Sequence, residues 1–391
     1  MAQTAFSAVA LALVVITVPA GWLQPQPDSS PLWGQLVPGM SVPGYTTRFV
    51  RDRSRSWGSP SGVRPDDRGR PIRISMWYPA VGSRAPMRIA DYVRQGAPTM
   101  FGDAEAALEH RDGTVVAEWA PPDRLPTLMA TPMRARRDAT PVSGRFPLVL
   151  YAAGINAYTL SNVVLAEFLA TQGMFVVTVP SLGPSSDQPE QQYDALELDD
   201  ALRDLEFAWS EVRDDPRVDP TKLAVVGHSL GGTIALLVAM HNANVVAAVG
   251  LDGTYGFAGS DADAFTAQYA PSRFDVRAAI LDIRRRDATA DLQAVRGFQH
   301  ADRFFVSMPN MFHGSFTSFQ MGAEVFHLAP PQNARPGWTQ ATGASGYQQV
   351  CVGVLEFLRA AFGGSAESFQ HWQTAVRAAG ASVMHDPAVS R

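Results

Sequence analysis

The chain has 391 residues, 46% of them hydrophobic and 18% charged, which supplies a sizeable core and excludes a chain disordered throughout. Basic residues number 32 and acidic 37, for a net charge of −5 with no long basic block, so nucleic-acid binding has no footing. Cys351 is the only cysteine, which excludes an intramolecular disulfide and a cysteine-based metal site. Neither an HExxH pair nor a GxxxxGK[ST] loop occurs, so the sequence implies no metal and no organic cofactor.

In chain order, residues 5–20 (AFSAVALALVVITVPA) are apolar apart from Ser7 and Thr17, and the first charge is Asp28. Such a run is short for a membrane span, which needs roughly twenty residues. It suits the apolar core of a signal peptide, with small residues for cleavage at Val18-Pro19-Ala20, although no basic residue precedes it. The expectation is that residues 1–20 are a signal peptide or an uncleaved anchor. The protein is then exported (secreted or periplasmic) or associated with a membrane through residues 5–20. Residues 21–44, rich in Pro, Gly and Ser, read as a linker, and residues 45–391 as one domain. Residues 45–51 and 73–78 (RISMWY) alternate like strands. Residues 81–144 read as an irregular insertion with one short helix near 103–110, long enough to cap or wall something.

The pattern changes at Phe146. PLVLYAAG is a buried strand ended by glycine, 161–172 has helical spacing, and MFVVTVP is another buried strand. An amphipathic helix over 193–213 carries Leu196, Leu202, Leu205 and Trp209 on one side. LAVVG, a helix over 231–242, VVAAVGL, VRAAILDI, RFFVSMP and a helix over 347–362 follow, and the rest reads as a polar tail. Short unbroken apolar strands alternating with helices predict an α/β fold, a mostly parallel sheet with helices on both faces.

Gly227-His228-Ser229-Leu230-Gly231 is G-x-S-x-G between a strand and a helix. A serine there sits on a sharp turn with its hydroxyl presented above the sheet. A nucleophilic serine needs a base, an acid that orients the base, and an oxyanion hole. In this arrangement the acid and then the histidine follow the serine along the chain. The histidines after Ser229 are His300, His313, His327, His371 and His385. His313, in MPNMFHGSF, lies in the loop after the predicted last strand, where a base reaches the elbow; His327 is its rival. His228 adjoins the serine, but strand alternation points it elsewhere. For the acid, Asp252 ends one strand and Asp282 or Asp287 the next, and placement leaves the choice open. The oxyanion donors are the backbone N–H groups of Leu230 and, in YAAGIN, Ile155.

Four segments, 146–183, VDPTKLAVVGHSLGG, LDG and HGSFTSF, resemble the platelet-activating-factor acetylhydrolase and dienelactone-hydrolase-like branch of the α/β-hydrolases. The resemblance spans roughly 45–362 and is most specific over 146–256 and 307–319. It implies the α/β-hydrolase fold, Ser229 as nucleophile, His313 as base, and an acid after the sixth strand, which favours Asp252. Gly253 lets the chain turn beside Asp252, whereas Asp282 sits inside AAILDI, and the basic run at 284–286 offers partners to Asp287. The chain departs from the branch at Ala153, where a histidine is usual, and at Pro180-Ser181-Leu182-Gly183, where charged residues are usual. The implied activity is hydrolysis of a small-molecule or lipid-like ester. Acyl transfer or peptide cleavage by the same residues is the alternative in chemistry, and a surface-tethered binding protein on the same scaffold the alternative to an enzyme. Met, Phe and Trp residues near 76–119 and 308–338 are candidates for an apolar acyl pocket.

Overall fold

The apolar runs become strands of one mixed sheet in a computed structural model that describes residues 29–57, 69–82, 84–185, 188–192, 195–256 and 276–389. The strands are β1 (Val42–Asp52), β2 (Arg70–Ala80), β3 (Arg136–Arg137), β4 (Phe146–Ala152), β5 (Phe175–Val179), β6 (Val218–His228), β7 (Val245–Leu251), β8 (Ala279–Arg285), β9 (Arg303–Met308) and β10 (Ser382–Asp386). Their order across the sheet is β10-β9-β8-β7-β6-β4-β5-β2-β1-β3. From β5 to β9 every neighbouring pair is parallel. β2 joins β5, β1 joins β2, and β10 joins β9 antiparallel. The helices are α1 (Ile89–Val93), α2 (Gly102–Ala117), α3 (Leu125–Ala130), α4 (Val163–Thr171), α5 (Ala195–Val212), α6 (Leu230–His241), α7 (Gln293–Arg296), α8 (Phe319–Val325), α9 (Gln340–Ala361) and α10 (Glu367–Ala378).

Because successive strand residues point to opposite faces, each central strand feeds two cores. Val149 and Tyr151 of β4 and Ala224 and Val226 of β6 face α4 and α9. Leu148 and Leu150 of β4 and Leu223 and Val225 of β6 face α5 and α6. Burial on both faces explains why these strands read as unbroken apolar runs.

Three expectations about organisation are corrected. The segment read as a linker is anchored to the core: Ser30, Leu32, Trp33 and Leu36 are buried and β1 starts at Val42. The cause is Glu167, a carboxylate buried within the apolar helix α4. Trp33 Nε1, Tyr92 Oη and the backbone N–H groups of Arg134 and Ala135 all donate to it, at 2.7–3.0 Å. Burial raises its pKa, and these four donors oppose that. The insertion 81–144 holds three helices and β3 rather than one short helix. The tail read as polar contains α10, whose Phe369, Trp372 and Val376 are buried, and β10, which extends the sheet. Residues 1–28 lie outside the described residues, and with them the apolar run 5–20. Among the described residues no helix is long and apolar enough to cross a membrane.

The short helix expected near 103–110 is the first half of α2, which runs on to Ala117 with part of its buried face charged. Arg73 of β2 donates to Glu105 at 2.9 Å and Asp112 at 2.6 Å, and to Thr159 at 3.0 Å. All three charged side chains are buried. Removing one partner of such a cluster strands the others without water. Arg73→Met therefore lowers unfolding free energy by about 3–5 kcal/mol, read from a urea melt. A loss below about 1 kcal/mol refutes this role.

Candidate active site

Strand β6 ends at His228, Ser229 caps helix α6, and the backbone turns between them. Ser229 holds φ 57° and ψ −123°, a region that L residues rarely adopt and that costs about 1–3 kcal/mol. Neighbouring strands hold the turn in place. Ser229 N–H donates to Leu251 O at 3.0 Å, and Gly232 and Thr254 N–H donate to Ser229 O at 2.9 and 3.1 Å. The flanking glycines are required by space. A Cβ on Gly227 would lie 1.9 Å from Gly231 O, and one on Gly231 would lie 2.0 Å from Ala152 O.

His313 follows β9 and opens a short 3-10 turn, His313–Phe316. Its Nδ1 lies 2.6 Å from Asp252 Oδ2. Asp252 directly follows β7 with φ 46°, and its side chain is 1% exposed against 45% for His313. Arg285 at the end of β8 also meets Asp252, through its guanidinium and, at 3.3 Å, through its backbone N–H. Burial pushes the Asp252 pKa up, but the His313 hydrogen bond and the charges of His313 and Arg285 outweigh it. The net shift is downward.

The other candidates lie elsewhere. Asp282 is buried and engaged by Tyr255 Oη and, at 2.7 Å, by Arg284 Nε. Asp287 is exposed and pairs with Arg335, not with the 284–286 run. His327 and His371 are exposed, His300 approaches Val389 O at 3.3 Å, and His385 pairs with Asp302. His228 corrects the alternation argument. Its ring lies 4.6 Å, centre to centre, from that of His313, and its Nε2 is 2.9 Å from His313 O. His228 is the last residue of β6, and its buried ring lies under the loop that follows β9.

Leu230 opens α6, so its N–H has no partner within the helix. Gly154 approaches the elbow so closely that a Cβ on it would lie 3.3 Å from Ser229 Cβ. The Gly154 carbonyl accepts from Ser181 Oγ at 2.7 Å and from Ala157 N–H at 3.0 Å. In a planar trans peptide the N–H of Ile155 points the opposite way. The insertion walls this loop through Trp119 Nε1, which donates to Tyr158 Oη at 2.8 Å. A cavity borders each of the two loops, the one after β4 and the one after β9. One of about 290 Å³ lies between α2 and the loop after β4, touching Leu108, Arg111, Val115 and Asn156. The other, of about 450 Å³, is lined by His313 together with Met311, Phe312 and Trp338. Met76, Trp77 and Trp119 are fully buried core instead.

Comparison with known proteins bears on the fold. A family model described as the alpha/beta hydrolase fold matches residues 147–340. The chain has the α/β-hydrolase fold. A ferulic acid esterase from Streptomyces cinnamoneus is similar in structure, with a TM-score of 0.57 and 17% identity over 83% of this chain and 91% of its own. That likeness concerns the fold. Within this α/β-hydrolase fold, the described residues between 29 and 144 form β1, β2, β3 and the wall of helices, all upstream of the matched segment.

The sequence reading missed Arg285 and misplaced His228. Arg285 has a partial signal, one of three consecutive arginines at the end of a buried strand. His228 has none beyond its position next to the serine.

Proposed function

We propose that this chain is a serine hydrolase of carboxylic esters that works through an acyl-enzyme. The observation that carries the reading is the 2.6 Å contact between His313 Nδ1 and Asp252 Oδ2 on loops that meet beside the Ser229 elbow. A carboxylate only accepts, so Nδ1 carries the proton and a neutral ring leaves Nε2 as the base. Ser229 Oγ attacks the ester carbonyl carbon while His313 Nε2 takes its proton. The N–H groups of Leu230 and Ile155 hold the oxyanion, each such donor being worth about 3 kcal/mol in the transition state. The intermediate collapses, His313 returns the proton to the departing alkoxide, and an alcohol leaves. Water, deprotonated by His313, then attacks the acyl-serine and releases the acid. Asp252 keeps the imidazole in this tautomer throughout.

The motifs quoted above favour the acetylhydrolase and dienelactone-hydrolase-like branch, and the two cavities suit a small-molecule or lipid-like ester. A fluorophosphonate probe is expected to label Ser229, and a chain-length series of nitrophenyl esters to give turnover. A folded protein that neither labels nor turns over any ester is a binding protein instead. Residues 5–20 support export or anchoring. Mass spectrometry of protein from its native source is expected to show a start beyond Ala20 or a membrane-bound form; an intact Met1 in a soluble cytosolic fraction contradicts both.

A further inference from the structure

We propose that His228 is a positioning residue that clamps the backbone of His313 to the nucleophile elbow. The inference rests on the serine-hydrolase reading and adds a role that the three catalytic side chains do not cover. His313 sits on the loop after β9, whereas Ser229 follows β6, with β7 and β8 between them in the sheet. A base carried that far from its nucleophile needs a direct tie, since a misplacement of about 1 Å costs on the order of 10²-fold in rate.

The far end of the loop is anchored by Asn162, which donates to Phe316 O at 3.1 Å, and by Ser318 N–H, which donates to Ser161 O at 3.0 Å. Outside its own 3-10 turn, His313 is tied to Asp252 through its ring and to His228 through its carbonyl oxygen. A carbonyl oxygen can only accept, so His228 Nε2 bears the proton and donates at 2.9 Å. The donor is well fixed, because His228 ends a central strand paired on both sides and is 7% exposed. Burial, and next the repulsion from His313, hold the His228 pKa down to about 3. The ring therefore stays neutral while His313 gains and loses its proton, and it places no competing charge against the imidazolium at 4.6 Å.

The experiment compares His228→Leu, His228→Gln and His228→Asn in the full chain. Leu removes the donor. The amide nitrogen of Gln reaches about as far as His Nε2, and that of Asn stops a bond short. Rates are normalised to active sites by fluorophosphonate titration taken to completion, and each variant's melting temperature is recorded. For His228→Leu the expected result is a kcat lowered by about 10- to 100-fold, the range for a lost hydrogen bond up to a shifted base, with KM nearly unchanged. His228→Gln is expected to recover to within several-fold of wild type, and His228→Asn to fall between. A residue of purely structural importance changes the melting temperature and the titrated fraction but leaves kcat per active site intact. A Leu variant within threefold of wild-type kcat overturns the clamp, as does a Gln variant no faster than Leu at equal melting temperature. Should the Leu variant not fold, Asn against Gln decides, and equal kcat for the two overturns it. None of these outcomes touches the hydrolase reading, which fails separately if Ser229→Ala keeps its activity.

Discussion

Ser229→Ala is expected to lose ester hydrolysis by roughly 10³-fold or more, with its melting temperature close to wild type. The side chain lost is one oxygen at a position that already sits 9% exposed in a paired turn, so no sizeable cavity opens. Alanine tolerates φ 57° about as poorly as serine does, so the strain of the elbow is retained. The chemistry has no substitute. Without Oγ the proposed acyl-enzyme cannot form, and His313 has no serine proton to take. What remains is the contribution of the oxyanion donors and of substrate binding, a residual rate still above that in water. A purified Ser229→Ala enzyme with a near wild-type rate would sink the nucleophile assignment, and with it the acyl-enzyme.

Asp252→Asn is expected to lower kcat on the order of 10⁴-fold, as loss of the imidazole-orienting carboxylate does in the serine-protease template. An amide in that place offers His313 Nδ1 an N–H as readily as an oxygen, and the ring then presents the wrong tautomer to Ser229. Asp252 stays ionised to lower pH than an ordinary aspartate. Burial alone would raise its pKa, but the His313 hydrogen bond and the charges of His313 and Arg285 depress it below its usual value. Its stabilising contribution is therefore present above the unfolded-state pKa and is lost only as pH falls through the lower folded value. Asp282→Asn makes the useful contrast. Asp282 is tied to Tyr255 and Arg284 and not to His313, and the Arg284 guanidinium also donates to Gly253 O at 3.1 Å and Tyr255 O at 3.2 Å. That variant is expected to melt lower while keeping its rate per active site. Asp287→Asn removes an exposed pair and is expected to change either measure little. An Asp252→Asn enzyme that keeps most of its activity while one of the other two loses it would move the acid to the end of β8.

Much of this protein was legible along the chain because its local patterns and its tertiary structure agree. Unbroken apolar runs such as LAVVG and VVAAVGL can only be central strands when both faces are covered, and the two cores on either side of the sheet are that covering. The elbow was legible for the same reason. Two glycines around one serine, between a strand and a helix, are what the close approach of Gly231 to Ala152 demands.

What the chain order left open depended on partners distant in sequence. Asp252 and Asp282 both lie near the carboxyl ends of neighbouring parallel strands, and their spacing from Ser229 does not separate them. Tyr255, 27 residues before Asp282, turns that carboxylate into a prop for the loop that carries Asp252. Helix α2 has no clear apolar stripe because part of what it buries is Glu105 and Asp112, and their partner Arg73 lies 32 and 39 residues upstream. The segment at 29–44 reads as a linker until Trp33 meets Glu167, 134 residues away. His228 reads as facing away until the loop after β9 folds over it. Hydrophobic periodicity reports which side of an element avoids water. It is silent on which buried charge or ring answers another across the fold, because that pairing exists only once the sheet has brought the strand ends together.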